Sequence, residues 1–203
     1  PCVAGHNNPT YAAMIASVDE SVGRVMETLD EWKLADNTVL IFTSDNGCSP
    51  EANFPLLEEL GHDPSGKYRG HKADIYEGGH RVPFIARWPG KIAAGQVNRD
   101  AVLTAVDLLP TFCEIAGVKL PSDYQPDGIS QVAVLTGKGS PKRAKTIFWK
   151  MSGSWPIRES SPYHWVSYAV VNDPWKLVAN HLAAIRTTFD KFCLRNVTFG
   201  LAL

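Results

Sequence analysis

The run Thr38-Val39-Leu40-Ile41-Phe42-Thr43 constrains this chain most. It is apolar and β-branched with no polar alternation, the pattern of a strand buried on both faces, as in a parallel sheet. A long helix-periodic segment precedes it. From Tyr11 to Leu34, Tyr11, Met14, Ile15, Val18, Val22, Val25, Met26, Leu29 and Trp32 recur at three- and four-residue spacings, and Asp19, Glu20, Glu27, Asp30 and Glu31 fall mostly between them. Asn7, Asn8 and Thr10 are N-cap candidates. This reads as a helix packing one face on a core. Ala35-Asp36-Asn37 supplies the turn. Helix, tight turn and buried strand in succession predict an α/β fold.

Downstream, Pro50 to Arg69 is polar and turn-rich, long for a plain connection, and reads as a surface loop with a functional role. Pro83–Trp88 predicts a second strand, ended by Pro89-Gly90. Thr104-Ala105-Val106-Asp107 has the spacing of a capping box with a short acid, opening a helix that Gly117 closes. Beyond Leu120 the character changes. Thr146–Lys150, Trp165–Val171 and Trp175–Ala179 are strand-like, with Asn172-Asp173-Pro174 as a turn, and predict an antiparallel meander. The expected division is an α/β portion over residues 1–120 and a small antiparallel β subdomain over 121–203.

Charge excludes one class of partner. Twenty Lys and Arg oppose 21 Asp and Glu, a formal net charge of -1, so there is no basic surplus to neutralise nucleic-acid phosphates. No apolar run approaches the ~18 residues of a membrane span. Cys2, Cys48, Cys113 and Cys193 form no Cys-x-x-Cys pair, which speaks against a zinc ribbon or a thioredoxin-like site. Asn196-Val197-Thr198 is a glycosylation triplet of a kind common by chance. The chain opens on Pro1-Cys2-Val3 without Met, and reads as a processed chain or a piece of a longer one.

Two clusters could carry chemistry. Asp45 and Asn46 follow the buried run, at the carboxyl end of the predicted strand, where ligand crevices of open α/β sheets lie. A carboxylate beside an amide oxygen suits a hard cation such as calcium or magnesium. From the tripeptide Asp45-Asn46-Gly47 alone, an Asx turn is the commoner reading. The second cluster is Arg69 to Pro83, where Lys72 or Arg69 could hold an anion and Gly78-Gly79 permits close backbone approach. The plain alternative is a solvated loop with Glu77 and Arg81 paired locally. His62, His71 and His80 lie nine residues apart, a spacing that fits no zinc motif.

Together these stretches resemble the C-terminal half of a sulfatase of the arylsulfatase type, in the alkaline-phosphatase-like superfamily. The matching elements begin with Tyr11-Ala-Ala-Met-Ile-Ala-Ser-Val-Asp-Glu-Ser-Val-Gly and Thr38-Val-Leu-Ile-Phe-Thr-Ser-Asp-Asn-Gly. They continue with Tyr68-Arg-Gly-His-Lys-Ala-Asp-Ile-Tyr-Glu-Gly-Gly-His-Arg-Val-Pro-Phe-Ile-Ala-Arg-Trp-Pro-Gly and Val106-Asp-Leu-Leu-Pro-Thr, over residues 11 to 180. Each is weak alone; their order and combination are specific.

The resemblance implies the fold, an alkaline-phosphatase-like sheet with flanking helices, and three site residues. Asp45 and Asn46 match a pair of calcium ligands, and Lys72 matches the lysine that binds the substrate sulfate. It implies sulfuric ester hydrolysis of an aryl or carbohydrate sulfate, with a formylglycine nucleophile from a Cys/Ser-x-Pro-Ser-Arg motif, and a periplasmic, secreted or lysosome-like setting. That motif belongs to the half this chain does not contain, so no catalytic residue is assigned and the chain alone is expected to be inactive. Ser154-Trp155-Pro156-Ile157-Arg158 fits part of the pattern, but Ile157 replaces Ser and the position is wrong. His6 stands too close to Tyr11 to match the family's histidine. Residues 181–203 depart from the family and are expected to be its least typical part. The alternatives are a phosphodiesterase or phosphonate hydrolase of the same superfamily, and a non-catalytic truncated relative.

Overall fold

The structure, a computed structural model, describes residues 9–153, 165–172, 175–180 and 192–195. His6, Cys2, the Ser154–Arg158 pattern, the Asp173-Pro174 turn, the Asn196 triplet and most of the 181–203 tail lie outside them. The described residues divide into two compact units, one up to Gly95 and the other from Gln96 onward.

In the first unit the helical period is realised as α1 (Pro9–Glu31). Strand β1 (Leu40–Thr43) follows after a single 3-10 turn at Ala35–Asn37. The polar stretch contains a helix that its turn residues concealed, α2 (Phe54–Glu59), which carries Pro55 in its first turn, where a missing amide costs least, and buries Leu57. A one-turn helix, α3 (Glu77–His80), leads into β2 (Phe84–Arg87).

Two expectations about burial are corrected here. The β1 strand pairs antiparallel with β2, in the register Leu40 with Arg87 and Thr43 with Phe84, and it is half-buried rather than enclosed on both faces. An apolar run marks a strand, not the direction of its neighbour or the cover on its second face. Helix α1 has no fully buried residue, and Met14 and Trp32 are 63% and 67% exposed. A two-stranded ribbon is too narrow to cover a 23-residue helix. Between α1 and the ribbon lies an apolar groove of about 340 Å³, lined by Val18, Val22, Val25, Met26, Ile41 and Ile85 among others. Arg87 closes one side by donating to both oxygens of Asp30 on α1, at 3.0 and 3.2 Å.

The second unit contains α4 (Leu108–Ala116), α5 (Val132–Leu135) and a four-stranded antiparallel sheet in sequential order. Its strands are β3 (Ile147–Gly153), β4 (Trp165–Asn172), β5 (Trp175–Asn180) and β6 (Phe192–Arg195). The meander is as the sequence indicates, with β6 added from the tail. The capping box is also present: the Thr104 backbone and hydroxyl donate to Asp107, while Gly117 ends α4 in the left-handed conformation. Asp107 is wholly buried and also accepts from the Ile129 amide and from both terminal nitrogens of Arg143. This one carboxylate therefore fixes the start of α4, the segment before α5 and the segment before β3.

Candidate functional site

Asp45 and Asn46 occupy the bend that follows β1. The end of β1 is fixed by the Thr43 hydroxyl, which donates to the Pro83 carbonyl at 2.9 Å. The Ser44 hydroxyl donates to the Asn46 carbonyl at 2.9 Å, and Asn46 Nδ2 donates to the Gly47 carbonyl at 3.0 Å. With Nδ2 engaged, Oδ1 is the Asn46 side-chain atom suited to a cation. Asp45 is exposed and Asn46 half-buried.

Lys72 sits in a tight turn that the sequence closes locally. The Asp74 amide donates to the His71 carbonyl at 2.9 Å, and the Asp74 carboxylate accepts the His71 amide at 3.0 Å. Between them Ala73 has φ 71°, the left-handed region. The Lys72 side chain is exposed.

Two main-chain bonds bring this turn against the Asp45-Asn46 bend. The Lys72 amide donates to the Cys48 carbonyl at 2.9 Å, and the Gly47 amide donates to the Gly79 carbonyl at 2.9 Å. The crossing needs glycine. A Cβ on Gly78 would lie 2.0 Å from the Gly70 carbonyl oxygen, and one on Gly79 2.1 Å from that of Asp74. The cation candidates and the anion candidate, 26 or more residues apart in sequence, thus share one backbone platform.

Around the platform, Arg81 pairs with Glu77 at 3.4 Å and lies over the Tyr68 ring at 4.6 Å, while Arg69 lies over Tyr76 at 3.8 Å. Glu77 and Arg81 are thus engaged in holding α3 and the 65–81 loop together. His80 Nε2 donates to the Ile75 carbonyl at 3.0 Å. The three histidines do not converge. Among the described residues no three His, Cys, Asp or Glu side chains group as a metal site, and the side chains of Asp45 and Asn46 offer at most three of the six to eight oxygens calcium takes, two from the carboxylate and one from the amide.

Sequence reasoning gave the Pro50–Arg69 loop a functional role but singled out no residue in its Ser49–Phe54 start. The Ser49 hydroxyl donates to Glu51, which holds the Glu51 carboxyl below its usual range, with a smaller contribution from the Lys72 charge. The Phe54 ring meets the His71 ring with centroids 5.0 Å apart. Near the platform, Tyr11 and Cys48 bond to each other, and burial is the main cause that raises both above their usual range. Cys48 is therefore a packed thiol rather than an activated one.

A family model described as Sulfatase matches residues 5–118. The chain belongs to the sulfatase family. A second model, N-sulphoglucosamine sulphohydrolase, C-terminal, matches residues 69–191. The N-acetylgalactosamine-6-O-sulfatase of Bacteroides thetaiotaomicron is 33% identical over 178 residues, covering 81% of this chain and 34% of that protein. The steryl-sulfatase of Homo sapiens is 38% identical over 138 residues, covering 68% of this chain and 23% of that protein. Among solved structures, BT4656 in complex with its substrate D-glucosamine-2-N,6-O-disulfate aligns with 91% of this chain and 33% of its own, at a TM-score of 0.63 and 29% identity. The fold is thus α/β of the alkaline-phosphatase-like kind. This sulfatase-family chain spans about a third or less of the length of these relatives. No helix among the described residues is long and apolar enough to cross a membrane.

Proposed function

We propose that this chain is the portion of a sulfuric ester hydrolase that carries part of a calcium site and the sulfate-binding lysine. The observation that supports this reading is the main-chain crossing that sets the Asp45-Asn46 bend beside Lys72. Asp45 supplies a carboxylate and Asn46 an amide oxygen, the hard donors that calcium takes. When bound, the cation supplies positive charge that offsets the charge on sulfate oxygens. The Lys72 ammonium acts toward the same anion from the other turn, as a mobile point charge with three donors. Lys72 is exposed, so its pairing with sulfate strengthens as a bound ester displaces water.

The reaction is hydrolysis of a sulfate ester, and a carbohydrate sulfate is the favoured substrate class, because one relative is an N-acetylgalactosamine-6-O-sulfatase and a solved neighbour binds a sulfated glucosamine. The formylglycine nucleophile and the remaining metal ligands belong to sequence outside these 203 residues, and the chain by itself does not turn over.

Calcium titration of the purified chain tests the site. Thermal unfolding in ~10 mM calcium is expected to rise by about 2–4 °C, as weak binding to the folded state predicts, and Asp45→Ala abolishes the rise. No rise in the parent chain, or the same rise in Asp45→Ala, overturns the metal assignment. Release of phenol from an aryl sulfate by the purified chain would overturn its inactivity.

A further inference from the structure

We propose that Phe54 and His71 form an aromatic corner beside Lys72 that receives the sugar ring of a sulfated carbohydrate. This rests on the reading of Lys72 as the sulfate-binding group and adds to it a recognition site for the rest of the substrate.

The two rings meet at 5.0 Å between centroids and at an interplanar angle of 55°. His71 is adjacent to Lys72 in sequence, and its side chain is 40% exposed; Phe54 is half-buried. Both rings are held from behind. His71 Nδ1 donates to the Lys72 carbonyl at 2.7 Å, and the His71 amide donates to Asp74 at 3.0 Å. Phe54 opens α2, whose Leu57 is 1% exposed and anchors it. The chain entering α2 is turned by Asn53 at φ 61°, whose amide donates to the Pro50 carbonyl at 3.0 Å. The Cys48 carbonyl just before this segment accepts the Lys72 amide at 2.9 Å, so the corner and the lysine share a frame.

The chemistry of the corner suits a sugar. His71 Nδ1 donates to the Lys72 carbonyl and Nε2 lies 3.8 Å from Asp74 Oδ2, so the ring is held between two oxygens and the imidazole face is what it offers to a ligand. Aromatic faces attract the weakly positive C–H edges of a saturated ring. The rings are tilted by 55° and so do not form the parallel slot that a flat aryl group would fill. A puckered ring can lay its C–H edges on these faces while its sulfate reaches Lys72.

The test uses the full 203-residue chain and three probes, methyl galactoside 6-sulfate, 4-nitrophenyl sulfate and inorganic sulfate, with binding read by calorimetry or NMR titration. The parent chain is expected to bind the sugar sulfate about five- to tenfold more tightly than the other two. Phe54→Leu keeps apolar bulk but removes the ring, and His71→Gln alters an exposed side chain; each is expected to bring the sugar sulfate down to the level of inorganic sulfate while leaving inorganic sulfate unchanged. Lys72→Ala is expected to weaken all three. A parent chain with no preference for the sugar sulfate, or a preference that survives both ring variants, overturns the corner and leaves the lysine reading intact. Inorganic sulfate binding that Lys72→Ala does not change overturns the lysine reading and the corner with it. If Phe54→Leu lowers stability, His71→Gln decides alone.

Discussion

The Gly47 amide donates to the Gly79 carbonyl at 2.9 Å, and a Cβ on Gly47 would stand 1.7 Å from the carbonyl oxygen of Gly78. The atom in the way is backbone, so it cannot swing aside. Gly47→Ala is therefore expected to destabilise the chain by at least ~2 kcal/mol, within the range that overpacking costs, and to remove the calcium-induced thermal shift. Gly23→Ala is the control. Gly23 lies mid-way along α1 with nothing within 4 Å of its added Cβ, and the substitution is expected to stabilise by about 0.5–1 kcal/mol. Urea denaturation of both variants measures the contrast; equal effects would contradict the crowding assigned to Gly47.

Arg143 Nη1 and Nη2 donate to the two oxygens of Asp107 at 2.9 and 2.6 Å, and the carboxylate has no solvent exposure. Removing the cation alone strands a buried charge. Arg143→Met is expected to cost about 3–5 kcal/mol. The double variant Arg143→Met with Asp107→Asn is expected to cost less than the sum of the two single changes, because the stranded charge is gone. A chemical-denaturation cycle on the four proteins measures the coupling, and strict additivity would rule it out.

The Thr104–Asp107 box was legible because a cap lies within one turn of its helix. The Arg143 partner of that aspartate was not, since nothing local in a basic, glycine-rich stretch says where its one buried guanidinium points. The Asp45-Asn46 bend and Lys72 were each visible as residue types in turns. Their juxtaposition was not, because it depends on glycine carbonyls and amides that every sequence position offers. The α2 helix was hidden by Asn53 and Pro55, which act as a helix entrance here and as loop signals elsewhere. The apolar run at β1 announced a strand but could not announce an antiparallel partner, since both sheet types accept the same residues.

Ala73 holds φ 71° in the turn after Lys72, without the freedom that glycine has there. Its side chain is exposed, so little packing would be lost on removing it. The left-handed conformation costs an L-residue about 1–2 kcal/mol, and glycine's extra freedom in the unfolded chain offsets part of the gain. Ala73→Gly is expected to stabilise by about 0.5–1 kcal/mol in thermal or urea unfolding. Inorganic sulfate affinity is expected to stay within a factor of two, because the Lys72 amide bond to Cys48 is untouched. Destabilisation would show that the turn relaxes its strain in some other way.

Helix α1 presents Met14, Ile15, Val18, Val25 and Trp32 to solvent, and Val18 and Val25 also line the groove facing β1 and β2. A continuous apolar face of this kind binds hydrophobic dyes and drives association at raised concentration. The purified chain is expected to enhance the fluorescence of an anilinonaphthalene dye in its native state and to show concentration-dependent mass in sedimentation. Val18→Lys with Val25→Lys places two charges on that face without filling a buried position. The pair is expected to suppress dye binding and association while changing stability by about 1 kcal/mol or less, since neither valine is fully buried. A native chain that is dye-silent and monomeric at every concentration would mean that the face is covered, and a large loss of stability in the double variant would locate the covering element within this chain.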